Sequence, residues 1–303
     1  LEKKPITKEK AYKIIVKKYA KDAYMNLKKL QTSLGHEIAY YPFDFKHKKW
    51  IIFTHGICEY GLRHKYLLDL VKDKYNICFY DLKLHGNSSK ENITSFSEFF
   101  WDLKSLIYFL RKEYNLQKYI LFGHSMGGLI TFKTLPYLES FLPEKMLLSG
   151  PSLHLNTPFK VMPLSLIKFL SSIKKSVEFF RISGDKLSHA KESQNNYDND
   201  PKILKKTPFN LFMELLQETK HPISFKTSTP TYMFLAEKDY LIDTQFIANN
   251  FIKSNIFFMR SVIFMLITFF VFLYFKSKKY TLSSSQKNGL NYLLLFVFVQ
   301  FLL

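Results

Sequence analysis

The chain has 303 residues, 47% of them apolar, enough to bury one large α/β domain or two small ones. Lys and Arg number 44 against 25 Asp and Glu, a formal charge of +19, but the lysines are scattered and no nucleic-acid motif accompanies them; a nucleic-acid partner is not expected. The two cysteines, Cys58 and Cys78, exclude a disulfide framework and a zinc cluster, so no metal and no cofactor is expected.

Residues 1–33 read as a basic helical extension. LEKKPITKEK has no apolar core of the kind a signal peptide needs, which points to a cytoplasmic or membrane-associated protein; because residue 1 is Leu, export stays open. Tyr12, Ile15, Tyr19, Ala23, Leu27 and Leu30 recur at helical spacing, and such a segment docks on its own domain or lies on an anionic membrane. From 34 to 151, short apolar runs alternate with longer mixed segments. Lys49–Thr54, Tyr75–Tyr80, Tyr119–Phe122 and Lys145–Ser149 are expected strands, and Phe96–Tyr114 is an expected helix. The alternation predicts an α/β fold, a mostly parallel sheet flanked by helices.

From 152 to 230 the alternation stops, as it would in a cap inserted over the sheet. Val161–Leu170 is an apolar stretch suited either to a lipid-facing lid or to a helix buried on the sheet, and Ser188–Asp200 is polar and loop-like. Residues 231–255 resume the core with the run Thr231–Leu235. Residues 256–303 form an atypical, hydrophobic end: the last sixty residues contain no Asp or Glu, and Ile256–Phe275 is almost wholly apolar, broken by Arg260. At ~1.5 Å per residue that run is long enough to span a bilayer. A transmembrane segment and a frameshifted end both fit it.

The chemistry centres on Gly123-His124-Ser125-Met126-Gly127, which follows an expected strand and precedes an apolar run. Small residues at both ends let the backbone turn sharply and expose the serine oxygen, so Ser125 is the candidate nucleophile. The Met126 N–H would then face a developing oxyanion from the start of the following helix. His55-Gly56 ends an earlier strand, and the Ile57 N–H is the candidate second donor. The turn itself accounts for His55, and His85-Gly86 after the next strand is read as packing beneath the nucleophile.

With HGICEYGLRH, the stretch from Asp81 to Ser88, GHSMGG and FLAEKDYLID in view, the chain resembles the monoacylglycerol lipase/lysophospholipase group of α/β-hydrolases, also grouped with the serine aminopeptidase-like hydrolases. Glu59 and Arg63 match that group's first motif, whereas Cys58 stands for a glycine and Tyr60 for a histidine. Leu84 replaces a glycine of the second motif, and Asn199-Asp200-Pro201 is similar to the group's Asp-Pro cap segment. The resemblance, spanning roughly 34 to 255, implies Asp239 as triad acid with Asp243 as its structural neighbour. It also implies a lipid ester substrate, a monoacylglycerol or a lysophospholipid, cleaved through an acyl-enzyme.

In this fold order the base follows the acid along the chain. The sequence has nine histidines and the last is His221, so none lies beyond Asp239. Three explanations compete: a reading-frame change after about Asn255; a membrane-anchored protein in which His189 or His221 has taken the role; or an intact pseudoenzyme that keeps a lipid-binding cavity without turnover. The alternative of a different class is a membrane-tethered, non-catalytic lipid-binding protein. Impaired turnover is expected, because loss of one triad member leaves only the rate supplied by the oxyanion hole and binding.

Overall fold

The computed structural model describes residues 26–260 apart from 140, 157–162, 164, 167–168, 170–177, 181, 188–190, 221–228, 238 and 252–255. In chain order the strands are β1 (Lys28–Gln31), β2 (Glu37–Phe43), β3 (Lys49–Thr54), β4 (Asn76–Tyr80), β5 (Lys118–His124), β6 (Lys145–Ser149), β7 (Glu178–Phe180), β8 (Thr207–Pro208), β9 (Thr231–Leu235) and β10 (Ile256–Arg260). The helices are α1 (Leu67–Val71), α2 (Glu98–Glu113), α3 (Met126–Thr134), α4 (Gly184–Leu187), α5 (Lys191–Asp198), α6 (Phe209–Lys220) and α7 (Thr244–Phe251). Eight strands form one sheet in the order β1-β2-β4-β3-β5-β6-β9-β10, parallel except for the β1/β2 and β2/β4 pairs. This is the mostly parallel α/β architecture expected from the sequence.

The central strands are apolar on both faces because helices cover both. Trp50 and Ile52 of β3 join Tyr80, Leu121 and the α2 residues Phe99, Leu103 and Leu106 in one core. Ile51 and Phe53 point the other way, onto Ile77, Phe79, Leu67 and Leu68, as the two-residue period of a strand requires. β7 and β8 pair antiparallel outside the main sheet, in the inserted segment.

Three expectations are corrected. Leu30 lies in β1, paired with Ile38, rather than in a helix; the residues before 26 lie outside the described ones. Lys191–Asp198, expected as loop, is helical. It has little apolar periodicity, and only Tyr197, buried with Cys58 and Ile203, anchors it by apolar packing. Ile256–Arg260, the start of the expected span, is an edge strand in parallel register with β9; residues 261–303 lie outside the described ones. Among the described residues no helix is long and apolar enough to cross a membrane. Most of Val161–Leu170 also falls outside the described residues.

Candidate active site

Ser125 occupies the turn between β5 and α3 with φ 53° and ψ −121°, the first corner of a type II′ turn, where an L-residue is strained. The glycines around it are there for space. A Cβ on Gly123 would lie 2.5 Å from the Gly127 oxygen, and one on Gly127 would lie 2.2 Å from the Thr54 oxygen. A Cβ on Gly128 would meet Pro151 at 2.8 Å. The elbow is therefore wedged against the end of β3 and the His55–Gly56 turn that follows it.

The backbone of the elbow is tied to the chain after β6: the Ser125 N–H donates to the Ser149 oxygen at 2.9 Å, and the Ser152 N–H donates to the Ser125 oxygen at 3.0 Å. Ser152 Oγ lies 3.4 Å from Ser125 Oγ, a contact longer than a good hydroxyl hydrogen bond. Sequence reasoning did not single out Ser152; its place just past the end of β6, next to β5 in the sheet, was the available signal. Among the described residues the N–H groups of Ile57 and Met126 make no hydrogen bond to protein groups. Both remain available to a ligand oxygen.

The histidines nearest the elbow are already engaged. His55 Nε2 accepts the Leu82 N–H at 2.9 Å, so its proton sits on Nδ1, which faces the Gly56 oxygen at 2.7 Å. His85 repeats the pattern, Nε2 accepting from the Cys58 N–H at 3.1 Å and Nδ1 donating to the Lys83 oxygen at 2.9 Å. Burial pushes their pKa values down to about 4 and about 3, so both rings are neutral at pH 7. His124 Nδ1 lies 3.1 Å from the Ser149 oxygen, and burial lowers its pKa too. His189 and His221 lie outside the described residues.

Asp239 follows β9, and its Oδ1 accepts the N–H groups of Leu241 and Ile242, each at 2.9 Å. No histidine is hydrogen-bonded to this carboxylate among the described residues. Asp243 is engaged differently. Its Oδ1 accepts the Phe246 N–H at 2.9 Å in the first turn of α7, and its Oδ2 lies 3.4 Å from His154 Nδ1, whose ring stacks on Phe246. The two acids thus divide into one held by its own loop and one capping a helix.

Two departures from the resemblance leave a mark on the backbone. Cys58 and Leu84, each standing where the group has glycine, have φ of 62° and 72°. The turns keep the left-handed conformation that favours glycine, and side chains bear it. Cys58 is buried, its Sγ 2.9 Å from Thr207 Oγ1; burial pushes its thiol pKa up to about 11, which excludes it as a thiolate nucleophile at neutral pH.

The serine aminopeptidase S33 pattern (Hydrolase_4) matches residues 46–254. The chain belongs to this hydrolase family. By family it is a lipase/esterase-type carboxylic ester hydrolase. It is 25% identical over 228 residues to a putative esterase/lipase 3 of Mycoplasma pneumoniae, covering 71% of this chain and 77% of that one. It is 28% identical over 161 residues to the monoglyceride lipase of Rattus norvegicus, about half (52%) of each chain. Against the phospholipase YtpA of Bacillus subtilis the figures are 26% over 201 residues, 64% of this chain and 76% of the relative. Among solved structures, a soluble variant of the Saccharomyces cerevisiae monoglyceride lipase with a substrate analog superposes with a TM-score of 0.65 at 16% identity, over 77% of this chain and 85% of that one; this likeness concerns the fold. A 52-residue stretch, 17% of this chain, is 50% identical to a heme A synthase of Flavobacterium johnsoniae, of which it covers 15%. Within the S33 hydrolase frame, Glu59 accepts the Gly56 N–H of the His55–Ile57 turn and His64 is seated on Glu59; the first motif contains His64, but sequence reasoning did not assign it a role.

Proposed function

We propose that this S33 hydrolase is a serine esterase acting on single-chain lipid esters, monoacylglycerols or lysophospholipids, with turnover impaired in this chain. The observation that carries the proposal is the strained Ser125 turn with two N–H groups, of Ile57 and Met126, without protein partners beside it. Ser125 Oγ attacks the ester carbonyl, the oxyanion is held by those two N–H groups, and the alcohol leaves to give an acyl-serine that water hydrolyses. Asp239 is the acid that would orient a base. The names of the rat and Bacillus relatives support the lipid class. The impairment rests on the absence of any histidine after Asp239. The same absence favours a second reading, a hydrolase-like protein that binds such lipids without turnover.

One experiment separates the two. A fluorophosphonate probe and a monoacylglycerol assay are applied to the chain and to Ser125→Ala. Slow labelling that depends on Ser125, with hydrolysis at least ~10³-fold below that of an intact-triad relative, is expected. Rapid labelling would refute the impairment, and lipid binding with no labelling would leave the binding-only reading in place.

We also infer a change of reading frame near residue 255. Two observations support it: the family match ends at 254, and acids are absent from the last sixty residues. Translating the coding DNA beyond residue 253 in its other frames tests this; a Gly-x-x-His run is the expected result, and its absence sinks the idea.

A further inference from the structure

Glu59 is buried beneath the turn that carries Ile57. Its Oε1 accepts the Gly56 N–H at 2.6 Å and lies 2.9 Å from His64 Nε2, while its Oε2 is 3.7 Å from Arg63 Nε. Burial would raise the carboxyl pKa, but the electrostatic pull and hydrogen bond of His64 outweigh that and hold it well below the usual range. The carboxylate is therefore ionised, and it sits against the elbow. A Cβ on Gly56 would lie 3.0 Å from Glu59 Oε1 and 3.0 Å from Ser125 Cβ.

The peptide that matters joins Gly56 to Ile57. Its carbonyl is gripped by His55 Nδ1 at 2.7 Å, and in a planar trans peptide the Ile57 N–H then points the opposite way. Glu59 grips the N–H of the preceding peptide. Together the two contacts fix both peptide planes leading into Ile57. A bare carboxylate so near a developing oxyanion would repel it; the Arg63 guanidinium, 3.7 Å from Glu59 Oε2, offsets that charge, and the His64 hydrogen bond holds the carboxylate in place. His64 comes from the same loop and also faces His124, their ring centroids 5.4 Å apart, so the arrangement joins the turn to the residue preceding the nucleophile.

We propose that Glu59, held by His64, is a positioning residue that sets the Ile57 N–H of the oxyanion hole. This rests on the reading of Ser125 as nucleophile, and the test separates the two. In the full chain, Glu59→Ala, Glu59→Gln and His64→Gln are compared with wild type for fluorophosphonate labelling of Ser125, resolved into probe affinity and maximal rate, and for amide exchange at residues 56–57. Loss of one oxyanion donor costs ~10²–10³-fold, so Glu59→Ala should slow the maximal labelling rate about 100-fold at unchanged probe affinity and speed exchange at 56–57 at least tenfold. Glu59→Gln and His64→Gln, which retain an acceptor and a donor, should show a smaller but measurable loss of roughly 3–10-fold. Wild-type labelling and exchange in Glu59→Ala would overturn the proposal, as would exchange raised throughout the core, which marks a merely structural residue. Should Glu59→Ala fail to fold, Glu59→Gln carries the comparison, and an unchanged rate and exchange there would overturn it. If wild type is not labelled but Glu59→Ala still frees 56–57, the esterase reading fails and the positioning role stands.

Discussion

Replacing Ser125 by Gly and by Ala separates the strain of the elbow from its chemistry, because both variants lack the nucleophile. At φ 53° and ψ −121° an L-residue is held where glycine is at ease; such a conformation costs ~1–3 kcal/mol. Ala keeps that cost and loses a hydroxyl whose side-chain contact is Ser152 at 3.4 Å, a loss of a few tenths of a kcal/mol. Gly relieves the strain but adds ~0.5–1 kcal/mol of unfolded-chain entropy. Ser125→Gly should therefore be more stable than Ser125→Ala by about 1 kcal/mol, a Tm difference of about 2–4 °C for a domain of this size. Thermal unfolding, with urea denaturation at unchanged m as the equilibrium measure, reads the difference. Equal stability, or an advantage for Ala, would show that the turn is unstrained and would remove the geometric ground for reading Ser125 as an exposed nucleophile.

Other expected outcomes follow from the same contacts. Gly127→Ala places a Cβ 2.2 Å from the Thr54 oxygen, a backbone atom, and should destabilise the fold by ~3 kcal/mol or more in urea denaturation; a cost below ~1 kcal/mol would mean that the elbow does not wedge against β3. At Cys58, with φ 62°, relief of strain should offset the lost packing, so Cys58→Gly should change stability by under ~1 kcal/mol. Cys58→Val, β-branched in the same conformation, should cost ~2 kcal/mol or more, and equal Tm values for the two would contradict this. Glu59 titrates below its ordinary value of 4.5 in the folded state, so its contribution is present above that pH and is lost as pH falls below it. The stability gap between wild type and Glu59→Gln should narrow from pH 7 to pH 3 in urea denaturation; a constant gap would refute the sign.

How much was legible in the sequence followed the range of the forces involved. Lys49–Thr54, Lys145–Ser149 and Thr231–Leu235 read as strands because burial on both faces leaves a continuous apolar run, and the structure places strands over the same residues. β2 escaped notice because EIAYYPF mixes a charge, tyrosines and a proline. Its Pro42 is tolerated where β1 no longer pairs, since the β1 register ends at Tyr40. Leu30 fits a helical period in sequence, yet the open edge at Ile38 draws it into a strand.

The elbow was determined locally. Glycines flanking a serine between a strand and a helix state their own turn, and the order of the motifs states the family. Tertiary structure alone decided what surrounds that turn. Glu59, His64 and His124 meet because β3 and β5 are neighbours and bring two loops to one end of the sheet. Ser152 reaches Ser125 because β6 lies on the other side of β5. The division of labour between Asp239 and Asp243, four residues apart, also needed three dimensions: each is defined by the N–H groups it accepts, and those depend on where α7 begins. A sequence records which groups are present and their local turn preferences. Long-range pairing of the strands determines which of those groups touch.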